Sequence, residues 1–353
     1  MRYPSVTINL EKLEKNTATI VNLCKKHNIS VSGVTKVFCG IPEITNAMVK
    51  GGISFIADSR IENLKKSMCF NLPKILLRLP MLSQADDAVT YSDISLNSEY
   101  VTIAALSDAA RRMNQTHKII LMIDVGDLRE GILPKDCLNL VEKILKLKGV
   151  ELFGLGTNLN CFGGVIPSFE NLSILTDLKN KIKEKFNFEI TMLSGGNSGS
   201  LHLLESNKIP KEINNLRLGE SILRGMESSY GRYLDDTFDD VFIFNAEIIE
   251  LKEKPSVPAG EIGPDAFGNK PVFTDRGTIK RAIAACGRQD VNISGLRPLD
   301  NLIEILGASS DHMILDVTKS KTDYKVGDVV KFSLDYGALL SAFTSEYVLK
   351  YYT

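Results

Sequence analysis

Eight short apolar runs recur along the first two thirds of the chain, near 31–37, 53–57, 74–79, 93–96, 118–124, 150–155, 189–193 and 213–218. Helix-like segments lie between most of them, at 61–68, 98–113, 135–147, 169–184 and 198–206. Before the first run, Asn9 to His27 carries Leu10, Leu13, Ile20, Val21 and Leu23 at roughly helical spacing. Eight strands alternating with helices over about 220 residues suit a (β/α)8 barrel. A doubly wound sheet competes, but it uses fewer strands and places a glycine-rich fingerprint after the first; Lys36 to Gly40 carries none.

Near Asp235-Asp236-Thr237 the pattern changes. Strand-like runs follow at 241–251, 279–285, 303–306, 313–317 and 329–334, separated by turn formers such as Lys254-Pro255-Ser256 and Lys325-Val326-Gly327-Asp328. The chain therefore reads as α/β: an N-terminal (β/α)8 barrel over 1–236, then a C-terminal mostly-β domain over 237–353. The first few residues are expected to pair with that β domain.

Composition narrows the function by exclusion. The formal net charge of the 353 residues is -1, which offers no electrostatic attraction to nucleic acid or an anionic membrane. Met1-Arg2-Tyr3-Pro4-Ser5-Val6 has no apolar leader core, and no apolar run is long enough to span a bilayer. Six scattered cysteines (Cys24, Cys39, Cys69, Cys137, Cys161 and Cys286) form no CxxC pair, so reduced thiols, a cytoplasmic location and no metal site are expected.

A barrel of this kind keeps its active site at the C-terminal ends of the strands. The first run ends in Lys36, the fifth leads into Asp124-Val125-Gly126-Asp127-Leu128-Arg129-Glu130-Gly131, and the sixth into Thr157-Asn158. The seventh ends in Ser194-Gly195-Gly196-Asn197-Ser198-Gly199-Ser200, and the eighth in Leu216-Arg217-Leu218-Gly219-Glu220. The Ser194–Ser200 stretch has the small and hydroxylic residues that let backbone N–H groups approach an oxyanion, although a plain glycine turn with Ser198 as helix cap has the same composition. A lysine on strand one and an anion cradle after strands seven and eight together suggest pyridoxal 5′-phosphate held covalently by Lys36. An arginine such as Arg217 facing the ring nitrogen would keep it unprotonated, which favours reversible proton exchange at Cα.

These stretches, with Ala57-Asp58-Ser59-Arg60, Gly307-Ala308-Ser309-Ser310-Asp311-His312 and Asp335-Tyr336-Gly337-Ala338, run in order through almost the whole chain. The ordered set resembles the alanine racemase superfamily of pyridoxal-phosphate enzymes, and most closely its alanine/ornithine racemase branch. The resemblance implies an amino-acid racemase with Lys36 as cofactor lysine and one of two bases. Arg129 would lie near the cofactor's phenolic oxygen, Arg217 at the ring nitrogen, and Asn158 where the alanine enzymes carry a ring-stacking histidine. Ser194, Asn197, Ser198, Gly219, Glu220 and Tyr336 fall at or beside phosphate-binding positions. Homodimers with shared sites are implied, so Ser310 and Asp311 would reach the partner's cofactor and substrate, with Arg129 also beside the substrate.

Two positions depart from the alanine enzymes. Gly40 stands where they place a phosphate-binding tyrosine, and Arg288, within Cys286-Gly287-Arg288-Gln289-Asp290, stands where they place the tyrosine base. Arginine stays protonated and is a poor base, which leaves Cys286, Asp290 and His312 as candidates for the second proton transfer. The expected substrate is ornithine or another basic amino acid, whose distal ammonium needs a carboxylate partner: Asp311 first, then Asp127 or Glu220. The rivals are an alanine or broad-range racemase, a decarboxylase or lyase of the same fold, and a non-catalytic pyridoxal-phosphate carrier.

Overall fold

A computed structural model describes residues 1–265 and 267–353. The chain divides into two compact units, Leu10–Asp239 and Met1–Asn9 with Asp240–Thr353. In chain order the elements to the end of the first unit are β1 (Ser5–Ile8), α1 (Leu10–Lys25), β2 (Ser30–Val34), α2 (Pro42–Lys50), β3 (Phe55–Asp58), α3 (Ile61–Lys66) and β4 (Lys74–Leu76). There follow α4 (Ala85–Tyr91), β5 (Ile94–Asn97), α5 (Tyr100–Arg112), β6 (His117–Met122), α6 (Cys137–Ile144), β7 (Val150–Gly156) and α7 (Phe169–Phe186). The barrel ends with β8 (Met192–Ser194), α8 (Leu201–Glu205), β9 (Asn215–Leu218) and α9 (Glu220–Arg224).

Strands β2 to β9 pair in parallel and in sequence, and β9 returns to β2 with Ser30 opposite Asn215 and Ser32 opposite Arg217. The expected barrel is present, with a strand at each of the eight apolar runs. Val34, Ala57, Ile75, Ile94, Leu96, Ile120, Met122 and Met192 pack together as a buried cluster contributed by six of the strands. Gly154 and Gly156 occur in β7 because a side chain at either would press on Ile120, Met122 or the Met192 backbone. The helices at Pro42–Lys50 and Ala85–Tyr91 go beyond the sequence reading. Each is only two turns or so long, too short for helical periodicity to stand out.

The second unit comprises β1 with β10 (Phe242–Pro255), β11 (Thr278–Ala284), β12 (Leu296–Pro298), β13 (Glu304–Ala308), β14 (Met313–Asp316), β15 (Val329–Leu334), α10 (Tyr336–Thr344) and β16 (Leu349–Tyr352). The main path of the sheet runs β12-β15-β10-β11-β14-β13, all antiparallel. β1 lies antiparallel to β10 and parallel to β16, so the first residues of the chain belong to this sheet. Asp335 caps α10, its carboxylate accepting from the Ala338 N–H at 2.7 Å. No helix among the described residues is long and apolar enough to cross a membrane.

Candidate active site

The strand expected to carry Lys36 ends earlier, at Val34, and Lys36 opens a short 3-10 turn through Phe38. Asp58 decides this. Buried at the end of β3, its carboxylate accepts from Thr35 Oγ1 at 2.6 Å, the Arg60 N–H at 2.9 Å and Asn63 Nδ2 at 3.0 Å. The turn then reverses through Cys39 and Gly40, at φ +55° and +62°. Gly40 serves here as a backbone contact, because a Cβ would come within 2.9 Å of the Asn63 carbonyl oxygen. The Lys36 carbonyl accepts from the Cys39 N–H at 3.2 Å, while the half-buried side chain has no hydrogen bond or ion pair from its Nζ to another described residue.

Across the barrel mouth, β8 and β9 build a directed polar relay. Arg217 is buried, and its Nη1 donates to Ser194 Oγ at 2.6 Å. Ser194 Oγ in turn donates to Asn215 Oδ1 at 2.7 Å, and Asn215 Nδ2 donates to Ser32 Oγ at 2.9 Å. The second terminal nitrogen of Arg217 donates to the Thr157 carbonyl at 2.7 Å and to Asn158 Oδ1 at 3.4 Å. Among the described residues no carboxylate bonds to this guanidinium; burial pushes its pKa down to about 10, which leaves it charged at neutral pH.

Asn158 stands among donors. Asn197 Nδ2, at 3.2 Å, and Arg217 address one end of its amide; turned over, its carbonyl would instead accept from both terminal nitrogens of Arg129 at 3.2 Å. One amide oxygen cannot serve both sides, so donors outnumber acceptors around Asn158. Arg129 also pairs with Glu130, which raises its pKa further.

The loops after β8 and β9 are stitched together. Ser198 Oγ lies 3.1 Å from Ser221 Oγ and accepts from the Ser221 N–H at 3.1 Å. Asn197 caps the turn through the Gly199 N–H at 2.8 Å and donates to the Leu159 carbonyl at 2.8 Å. Gly219 lets the exit of β9 lie against β2, since a Cβ would meet Val34 Cβ at 3.1 Å. Glu220 opens α9 and pairs with Arg224 at 2.7 Å. Asp127, a reserve partner for the substrate ammonium, is buried and accepts backbone N–H groups instead. The structure therefore brings together Arg129, Asn158, Ser194, Asn197 and Arg217 directly. It joins Ser198 to the start of α9 and sets Lys36 two residues beyond β2, the strand beside β9.

Asn215, Thr157, Ser221 and Asp58 complete this arrangement; the sequence singled out Thr157 and Asp58 at strand ends without a role, and Asn215 and Ser221 not at all. Asn215 had a signal: it sits two residues before Arg217 and so shares its face of β9. The others act through partners far away in sequence.

In the second unit, Arg288 N–H donates to the Ser309 carbonyl and Gln289 N–H to the Ser310 carbonyl, each at 3.0 Å. This sets the Cys286–Asp290 stretch beside the Ser309–His312 turn. Cys286 is buried, which pushes its thiol pKa far up. Asp290 is buried too, with its carboxyl raised by that burial while it accepts from the Gly287 N–H at 2.7 Å. Arg288 stacks on the Phe267 ring and donates to the Ala308 carbonyl. By contrast Asp311 is exposed and His312 half-buried, with Oδ1 2.8 Å from Nδ1. Ser309 and Ser310 hydroxyls donate to the same Oδ1 at 3.3 Å. Tyr336 opens α10 in this unit.

The family model for the N-terminal domain of alanine racemase matches residues 8–225. An ornithine racemase from Acetoanaerobium sticklandii is 48% identical over 349 residues, covering 99% of each chain. A lysine racemase from Thermotoga maritima is 43% identical over 354 residues, covering 100% of this chain and 99% of its own. In three dimensions, an alanine racemase from Bartonella henselae described with covalently bound pyridoxal phosphate superposes with a TM-score of 0.76 at 16% identity, covering 100% of both chains.

Proposed function

Because this chain belongs to the alanine racemase family, we propose that it interconverts the enantiomers of a basic amino acid, ornithine or lysine, with pyridoxal 5′-phosphate bound through Lys36. Racemisation itself follows from the family and from full-length relatives named ornithine racemase and lysine racemase. The observation that carries the site assignment is the buried Arg217 guanidinium, held by neutral acceptors at the barrel mouth.

The residues fit the cofactor. Arg217 would face its ring nitrogen, Arg129 its phenolic oxygen, Asn158 its ring face, and Ser198 and Gly219 its phosphate, with Ser194, Asn197 and Glu220 supporting them. When bound, pyridoxal phosphate supplies an electron sink that acidifies the substrate's Cα–H. Lys36 Nζ then takes or returns the Cα proton on one face.

Inversion requires a second proton carrier on the opposite face. Arg288 cannot serve, and Cys286 and Asp290 are buried. His312 remains: Asp311 holds Nδ1, which leaves Nε2 to carry the proton. In a homodimer with shared sites, this turn would serve the partner's barrel. Asp311 directs Oδ1 at its own turn, so Oδ2 is assigned to the substrate's distal ammonium, with Ser310 beside it.

The test is chiral chromatography of a panel of L-amino acids incubated with protein and cofactor. D-ornithine or D-lysine should form, and Lys36→Ala should form neither and lack a borohydride-reducible linkage. Formation of the decarboxylated amine, or preferential turnover of alanine, would overturn the reading.

A further inference from the structure

Asp127 belongs to none of the chemistry described above, yet it is 1% exposed and heavily bonded. Its Oδ1 accepts the N–H groups of Asn160 at 3.1 Å and Val165 at 3.2 Å. Its Oδ2 accepts those of Phe162 at 3.0 Å and Cys161 at 3.3 Å. Asn160 at φ +57° and Gly164 at φ +70° turn the loop after β7 around the carboxylate. Gly163 lets the loop close down, because a Cβ there would come within 2.7 Å of the Asp127 carbonyl oxygen. Successive backbone N–H groups turned toward one point make an anion-binding concavity, and here the protein fills it with its own carboxylate.

Both loops carry site residues. Asp127 lies two positions before Arg129, in a loop closed by Asp124 Oδ1 on the Gly126 and Leu128 N–H groups. The loop it grips begins with Thr157 and Asn158, which contact Arg217, and Leu159, which contacts Asn197. We infer that Asp127 is a positioning residue: its carboxylate locks the loop after β7 onto the loop after β6, setting Asn158 against Arg129 before the cofactor binds. Burial raises its carboxyl pKa, but the backbone donors outweigh this and hold it below the ordinary range. The loop is thus locked throughout the neutral range. This deepens the cofactor reading and rests on it.

The experiment compares cofactor-free wild type and Asp127→Asn, titrated with pyridoxal phosphate, with amide hydrogen exchange over 158–166 read in parallel. The substituted amide would point N–H at N–H donors. Affinity should fall on the order of ten- to a hundredfold, as for loss of charge-assisted hydrogen bonds, and exchange should quicken in this loop. In an Asn158→Ala background the same substitution should cost little further affinity, whereas a general loss of fold would add in full. If Asp127→Asn does not fold, Gly163→Ala, which lifts the loop while keeping the carboxylate, should weaken cofactor binding in the same way. Wild-type affinity in a folded Asp127→Asn protein, or in Gly163→Ala when that variant is needed, overturns the inference. A wild-type protein that binds no pyridoxal phosphate overturns the cofactor reading instead.

Discussion

A single carboxylate can hold the preference for a basic substrate. Asp311 is ionised across the neutral range, because the hydrogen bond from His312, followed by those from Ser309 and Ser310, keeps its carboxyl below the ordinary value. A distal ammonium needs such a partner when it leaves water, and a methyl side chain does not. Asp311→Asn should therefore raise KM for ornithine and lysine on the order of ten- to a hundredfold while changing KM for alanine little. Steady-state kinetics on the three amino acids decides it, and equal increases for all three would remove the specificity role. The other candidate carboxylates show how context divides one chemistry: Asp127 is taken up by backbone, Glu220 by Arg224, and Asp290 by the turn it caps.

At the level of elements, the Arg217 relay depends on barrel closure, since Ser194, Asn215 and Ser32 come from β8, β9 and β2. Asn215 accepts from the Ser194 hydroxyl, so the serine's lone pairs are turned to Arg217 and the guanidinium has one favoured direction. Asn215→Leu frees that hydroxyl and should cost roughly 1–3 kcal/mol of stability through unmade buried hydrogen bonds. The diagnostic readout is the partition between racemised product and keto acid from transamination. Misdirecting Arg217 should raise the keto-acid share, and Asn215→Asp, which keeps the acceptor, should restore much of the balance. A partition ratio identical to wild type in Asn215→Leu would leave the relay a packing feature only.

The whole molecule has a built-in acid sensitivity away from the active site. His117 starts β6 on the outer side of the barrel, with Nε2 2.8 Å from Ser95 Oγ. Asn97 donates to that oxygen at 2.9 Å, so the hydroxyl proton is assigned toward the imidazole, which is then neutral. Burial lowers its pKa to about 4, against an opposing influence of Asp93. An unfolded histidine titrates near 6.5, so between these values the unfolded chain binds the extra proton and folding weakens as pH falls. The full effect is roughly 3 kcal/mol. Urea denaturation at pH 7 and near pH 4.5 should show a smaller acid loss for His117→Gln than for wild type. Equal losses would assign the acid sensitivity to other groups.

The sequence by itself determined the barrel, the change to a β domain, and the strand ends where chemistry gathers. Those features come from short-range patterns: apolar runs, intervening helical spacing, and glycine and serine before a helix. The strand-end positions of Arg217 and the Ser194–Ser200 loop were legible for that reason. Only the tertiary structure decided what each polar side chain faces. Asp127 and Asp311 are both aspartates in polar loops, yet one is enclosed by N–H groups more than thirty residues away and the other stands open beside His312. Lys36 left its strand for a turn because Asp58, brought alongside by β3, ties down Thr35. Burial and hydrogen-bond partnership arise from long-range closure of the chain, and closure sets which charged groups are held within the protein and which remain available to a ligand.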